Sequence, residues 1–198
     1  MAFSEYKTAL VTGASSGMGW GIAERLRAKG LVVHAVGRNA AKLDELKDLC
    51  GVIPHAVDIS DTAAITELLD GLQIDVLVNC AGVSRPGSIL QSDAFDIDEQ
   101  IDVNLRAGLH LCRLILPGMM ERDSGHIVNI TSMAGLYEFG GHIAYHATKA
   151  AMHTVSRQLR VDAFGRRVRV TEISPGRVET DIFARVENIS AEEAKAKY

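Results

Sequence analysis

The sequence predicts a doubly wound, parallel α/β fold. Short runs rich in Val, Ile and Leu recur six times along the 198 residues, amphipathic segments separate every consecutive pair, and a glycine-rich turn directly follows the first run. Strands that alternate with helices make repeated βαβ units, and such units require a parallel sheet covered on both faces.

Taken in order, the first strand is expected at 8–12 (TALVT), and the helix after the glycine turn at 17–29, where apolar residues recur at helical spacing. A second strand at 31–36 (LVVHAV) leads to a helix over 40–49, and a third at 52–57 (VIPHAV) to a helix over 62–72. The fourth, 75–79 (DVLVN), leads to one long helical segment over 95–120. A fifth at 126–131 (HIVNIT) precedes a helix over 143–164 and the sixth strand, 168–173 (VRVTEI). No repeat, low-complexity tract or linker interrupts this pattern, so a single domain over 1–198 is expected, with 1–180 as its core. Residues 181–198 read as the start of a substrate loop or a polar tail, rich in Ala, Glu and Lys from 186 onward.

Composition excludes other classes. With 47% apolar and 23% charged residues the chain is too apolar for disorder and too mixed for a fibre. A net charge of −4, without a block of like charges, argues against a partner held through nucleic-acid phosphates. No stretch reaches the roughly 18 uninterrupted apolar residues of a membrane span, and MAFSEYKTALVTG lacks the basic and apolar regions of a secretory signal. Cys50, Cys80 and Cys112 are odd in number and widely spaced, so reduced thiols and a cytoplasmic location are expected.

The turn after the first strand reads Thr12-Gly13-Ala14-Ser15-Ser16-Gly17-Met18-Gly19. Glycines there permit a tight turn and let the backbone approach a pyrophosphate, whose charge the unpaired N–H groups of a helix N-terminus would meet. Gly13, Ser15, Ser16, Gly17, Met18 and Gly19 are the candidate contacts, with a purely structural βα turn as the alternative. About 20 residues on, a dinucleotide site needs an acid for a free ribose 2′-hydroxyl or an Arg for a 2′-phosphate. Here Gly37 stands where the acid would be and Arg38 follows, which favours NADP(H). NAD(H), with Arg38 merely solvated, stays open. Asp58 and Ile59 are candidates for the adenine, a helix cap being the other reading of Asp58. In Asn79-Cys80-Ala81-Gly82, small residues again occupy the carboxyl end of a parallel strand, where open α/β sheets bind ligands. Asn79, Ala81 and Gly82 are therefore further candidates.

Tyr145 and Lys149 stand four apart at the start of a helix and share a face. A phenol with pKa near 10 is a poor base at neutral pH, and a cationic neighbour lowers that value. Tyr145 is thus a candidate general acid/base with Lys149 as electrostatic partner. Ser132, ending the fifth strand, is placed to hydrogen-bond a reacting oxygen. Asn104 lies within the long helical segment, where Asn is a poor former. Singly, each also reads as a cap, a surface group or a chance pair.

Together, the glycine turn, Asn79-Cys80-Ala81-Gly82, Asn104, Ser132, Tyr145-His146-Ala147-Thr148-Lys149 and Pro175-Gly176 resemble the ordered motifs of the classical short-chain dehydrogenase/reductase family, from Thr8 to about Thr180. Cys80 departs from the family's Asn-Asn-Ala-Gly. The resemblance implies a Rossmann-like fold and hydride transfer between NADP(H) and a carbonyl or secondary alcohol, with Tyr145 moving the proton. It implies that Lys149 also binds the nicotinamide ribose and that Asn104 holds a water linking Lys149 to solvent. It further implies that Pro175, Gly176, Val178 and Thr180 contact the carboxamide and pyrophosphate. A nucleotide-binding regulatory protein without turnover is the alternative, and epimerisation or dehydration a third reading.

In the family the substrate side is shaped by 82–92, 133–142 and the segment after Pro175-Gly176. Leu136, Tyr137, Phe139, Ile182 and Phe183 there suggest a moderately hydrophobic ketone, aldehyde or alcohol, with Gly135, Gly140 and Gly141 as flexible points of the rim. His142 and His146 have a metal-compatible spacing but no third ligand, so no metal is expected. His34, His55, His110, His126 and His153 are scattered without a cluster. The long helical segments carry Ile97, Ile101, Leu105, Leu109, Leu111 and Leu114, and Met152, Val155, Leu159 and Val161, more than one sheet face covers. With the family's habit of pairing these helices, a homodimer or homotetramer is implied. The family's usual seventh strand is not expected in this chain: either the chain is truncated before it, or it is a short variant whose sixth strand lies at an open edge.

Overall fold

The computed structural model describes residues 5–176 and 178. Six parallel strands form its centre: β1 (Thr8–Thr12), β2 (Val32–Gly37), β3 (Ile53–Ala56), β4 (Val76–Asn79), β5 (Gly125–Ile130) and β6 (Val168–Ile173). Their order is β3-β2-β1-β4-β5-β6. The chain therefore winds outward from β1 to β3, crosses back to β4 and winds the other way. Where the winding reverses, the connections leaving β1 and β4 diverge and open a crevice at the carboxyl ends of those strands.

Both faces of the sheet are covered, which is why the strands read as continuous apolar runs. Along β1, Leu10 faces one core with Leu77, Ile127, Leu111 and Met119, while Val11 faces the other with Val33, Val78, Ala23 and Leu43. Register fixes this division, since Leu10 lies beside His34 on β2 and Leu77 on β4.

The helices are α1 (Gly17–Ala28), α2 (Ala40–Cys50), α3 (Thr62–Leu69), α4 (Ala94–Ile101), α5 (Ala107–Glu121) and α6 (Ile143–Asp162). Side-chain oxygens of Asn39, Asp61 and Asp93 cap α2, α3 and α4 by accepting from backbone N–H groups in the first turn. Expected and observed elements agree in kind and order, with two differences. Helix α3 stops at Leu69 because Asp70 is extended and Gly71 sits at φ 70°. The segment expected as one helix over 95–120 is interrupted at Asp102–Arg106 by a π-helical turn, in which the Ala107 N–H donates to the Asp102 carbonyl. Such a turn adds one residue to the helical ladder without breaking it, so apolar spacing alone passes over it.

Among the described residues β6 is the last strand and forms a sheet edge. No helix of the described residues is long and apolar enough to cross a membrane.

Candidate active site

The crevice holds a cavity of about 330 Å³ lined by the turn after β1, by Arg38 after β2, by Asp58 and Ile59 after β3, and by Ala81 and Gly82 after β4. All six candidates of the glycine turn line it. Gly13 adopts φ 69°, and a Cβ there would lie 2.8 Å from the Ala81 Cα. A Cβ on Gly19 would run into the Gly13 carbonyl. The first connection thus packs backbone against backbone at the N-terminus of α1. This cradle fits the pyrophosphate of a dinucleotide. Thr12 holds the two loops together: its Oγ1 accepts from the N–H groups of Cys80 and Ala81 at 3.0 and 3.1 Å and donates to the Val78 carbonyl.

Asp58 does not cap a helix; Asp61 does. Asp58 Oδ1 instead accepts from the Ser60 N–H at 2.9 Å and the Ser60 hydroxyl at 2.7 Å. Burial pushes its pKa up, but these bonds and the Arg38 charge outweigh it, and the net shift is downward. Asn79 lies behind the cavity wall. Its Nδ2 donates to Asn129 Oδ1 at 2.8 Å, and Asn129 in turn donates to Ser156 Oγ at 2.9 Å, a buried polar chain joining β4, β5 and α6.

The four catalytic candidates converge beside the cavity. Ser132 begins the turn after β5, its Oγ accepting from the Ala134 N–H at 3.1 Å. It also shares a hydrogen bond with the Tyr145 hydroxyl. One turn along α6, the Lys149 ammonium lies 5.6 Å from the centre of the Tyr145 ring and donates to the Ile130 carbonyl at 3.1 Å. Asn104 sits in the π turn, where its Oδ1 accepts from the Val83 N–H and its Nδ2 donates to the Val83 carbonyl, both at 2.8 Å, and to Thr148 Oγ1 at 3.2 Å. A Cβ on Gly82 would stand 3.3 Å from Asn104 Oδ1 and 3.5 Å from Lys149 Nζ. The loop after β4 therefore passes directly between Asn104 and Lys149.

Two expectations are corrected here. Lys149 was expected to lower the Tyr145 pKa, yet burial raises it and the Ser132 hydrogen bond opposes that rise. Burial also drives the Lys149 pKa down, to about 8, with Cys80 opposing. Gly135 is not a flexible point. A Cβ there would lie 2.7 Å from the Lys149 carbonyl carbon, so the turn that carries Ser132 presses against α6 only because Gly135 has no side chain. Gly140 and Gly141, by contrast, face open space.

Pro175, Gly176 and Val178 follow β6 and do not line the cavity; the Pro175 carbonyl accepts from the Met133 N–H at 2.9 Å, placing this segment beside Ser132. Thr180, Ile182 and Phe183 lie outside the described residues. Cys80 lines the cavity, as do Ser84 and Arg85, which were not singled out for it. Burial raises the Cys80 thiol to about 11, against the opposing charge of Lys149. His142 Nδ1 lies 3.3 Å from Ser84 Oγ, and the His146 ring packs on the edge of Phe139. Among the described residues no group of three metal-ligating side chains forms. One histidine pair escaped the sequence reading: His34 and His55 stack across β2 and β3 with nitrogens 2.9 Å apart. Parallel register brings them together, which spacing along the chain does not reveal.

Fold and site together define a dinucleotide-binding α/β protein with a Ser-Tyr-Lys group beside its crevice. The profile of the short chain dehydrogenase family matches residues 7–190, and the chain belongs to that family. An uncharacterized short-chain type dehydrogenase/reductase of Sinorhizobium fredii is 44% identical over 181 residues, covering 91% of this chain and 73% of the relative. The NADP-dependent 3-hydroxy acid dehydrogenase YdfG of Escherichia coli K12 is 40% identical over 187 residues, covering 89% and 75%. Among solved structures, the closed form of a serine dehydrogenase complexed with NADP+ superposes with a TM-score of 0.91 at 36% identity, covering 96% of this chain and 81% of that one.

Proposed function

We propose that this chain is an NADP(H)-dependent oxidoreductase that interconverts a carbonyl and a secondary alcohol, one domain carrying both cofactor and chemistry. The observation that carries the reading is the convergence of Ser132, Tyr145 and Lys149 beside a glycine-cradled cavity. A regulatory nucleotide-binding module needs the cradle but not the acid/base set. Arg38, in place of an acid after β2, supports NADP(H), as do the NADP-dependent relatives.

When bound, the nicotinamide supplies or accepts the hydride. Tyr145 Oη delivers the proton to the carbonyl oxygen in reduction and receives it in oxidation. Ser132 Oγ already accepts from Ala134, which leaves its own proton for the phenolate or the substrate oxygen. Lys149, protonated below about pH 8, stands as the cation beside Tyr145 and would hold the ribose hydroxyls. Asn104 fixes the strand exit at Val83 next to Lys149 and holds the water that connects Lys149 to solvent. Asp58 and Ile59 would contact the adenine, and Pro175, Gly176 and Val178 the carboxamide and pyrophosphate; Thr180, expected with them, lies outside the described residues. The substrate rim presents Leu136, Tyr137 and Phe139, all exposed. The names of the relatives put 3-hydroxy acids and serine first among candidate substrates. The three free cysteines fit a cytoplasmic setting, and we propose a homodimer or homotetramer.

A panel of ketones, aldehydes and hydroxy acids, followed by nicotinamide absorbance with each cofactor, tests this reading. Tyr145→Phe should lower kcat by about a thousandfold while the NADPH dissociation constant stays within about twofold. Near-normal turnover in that variant would end the mechanism.

A further inference from the structure

A bridge of charges crosses the end of the cavity formed by the β2 and β3 exits. From one wall, Arg38 Nη1 lies 3.9 Å from Asp58 Oδ2 and 3.6 Å from Glu99 Oε1. Glu99 belongs to α4, outside the cavity lining, and is firmly held. Arg85 reaches its Oε2 through both Nε and Nη2 at 2.8 Å. The Arg85 backbone N–H in turn donates to Oε1 of the fully buried Gln100 at 3.0 Å. The Glu99 side chain is 13% exposed and that of Arg38 59%, so the carboxylate is the fixed member of the pair and the guanidinium the movable one. Both arginines line the cavity.

We infer that Glu99 sets how strongly the site discriminates between dinucleotides with a 2′-phosphate and those with a 2′-hydroxyl, by holding Arg38 in a bridge that the phosphate must displace. This rests on the proposed role of Arg38. A phosphate monoester carries more charge than one carboxylate and accepts shorter, stronger hydrogen bonds, so it draws Arg38 away. The exchange does not strand Glu99, because Arg85 continues to neutralise it at 2.8 Å. Glu99 nevertheless weakens 2′-phosphate binding twice over, as a competitor for Arg38 and as a like charge. A 2′-hydroxyl dinucleotide leaves the bridge intact and is indifferent to it.

Fluorescence titration of the protein with NADPH and with NADH tests the inference by binding alone. Glu99→Gln keeps an acceptor for Arg85 and removes the charge. It should tighten NADPH about fivefold at low salt, leave NADH within about twofold, and lose much of that gain at high salt, where exposed charges are screened. In an Arg38→Ala background the same substitution should no longer change NADPH binding by more than about twofold. The ratio of the two dissociation constants is the readout, because a folding defect moves both together. The inference is overturned if Glu99→Gln leaves the ratio of the NADH to the NADPH dissociation constant unchanged or lowers it while Arg38→Ala weakens NADPH alone. If Arg38→Ala does not alter the ratio, the proposed NADP(H) preference through Arg38 fails, and this inference falls with it.

Discussion

Lys149 is 5% exposed, and its ammonium rests on the carbonyl of Ile130. A backbone carbonyl is a weak substitute for water or a carboxylate, and burial accordingly pushes its pKa from 10.5 down to about 8. The same incomplete neutralisation leaves the charge available for the proposed contact with ribose hydroxyls. The arrangement therefore costs stability, a cost that the proposed role of Lys149 at the site would account for. Between about pH 8 and the ordinary lysine value the unfolded chain binds the proton that the folded chain has lost, so this group makes stability rise with pH through that window. The penalty of burying the cation is fully present below it. Denaturant unfolding of Lys149→Met should show a variant more stable than the parent at pH 7 by about 1 kcal/mol or more, with the difference shrinking toward pH 10. A variant equally destabilised at both pH values would contradict this account. Cys80 lies in the same field, and its thiol, raised to about 11 by burial, stays protonated at neutral pH.

The turn after β5 shows how one small residue positions Ser132, a group of the proposed catalytic set. Met133–Gly135 forms a single 3₁₀ turn capped by Ser132, and its last residue touches the backbone of α6 at Lys149. Gly135→Ala places a methyl 2.7 Å from the Lys149 carbonyl carbon and 2.8 Å from its oxygen, both backbone atoms that cannot rotate away. We expect it to cost about 1–3 kcal/mol of stability in denaturant unfolding. It should also lower kcat more than tenfold, because Ser132 and Tyr145 separate. Parent-like turnover would show that the turn tolerates displacement. This contact was not readable from the sequence, where Gly135 looked like a flexible point. Motif order placed Ser132, Tyr145 and Lys149 on the correct elements because their spacing lies within one strand exit and one helix. The pressure of Gly135 on Lys149, the stacked His34 and His55, and the Arg38 to Glu99 bridge all join residues distant in the chain. Periodicity carries no information about such pairs. The π turn escaped for a related reason: it offsets the helix by a single residue, yet it is where Asn104 turns to face both Val83 and Thr148.

Strand runs and intervening helices were enough to predict a parallel, doubly covered sheet, and the observed order β3-β2-β1-β4-β5-β6 puts the motifs of four strand exits around one crevice. The apolar stripe on the long helices needed the structure to resolve it. Leu111, Met152 and Leu159 belong to the buried core. Ile101 is 40%, Leu109 44% and Val161 66% exposed, with Phe164 just past α6 at 89%. An apolar surface spread over α4, α5 and α6 and left in water favours association, and a two-fold axis lets one patch cover its own copy. A charge introduced into such an interface is met twice and loses its water twice, so a single substitution has a doubled effect. Light scattering at about 10 μM should give the mass of a dimer or tetramer for the parent chain. Leu109→Glu and Val161→Glu should each weaken assembly by about a hundredfold and shift the mass toward one chain. Because both positions are exposed in the single chain, the variants should keep its unfolding cooperativity, which separates lost assembly from lost fold. A parent chain that stays monomeric at that concentration, or variants that assemble as it does, would place these apolar residues outside any interface.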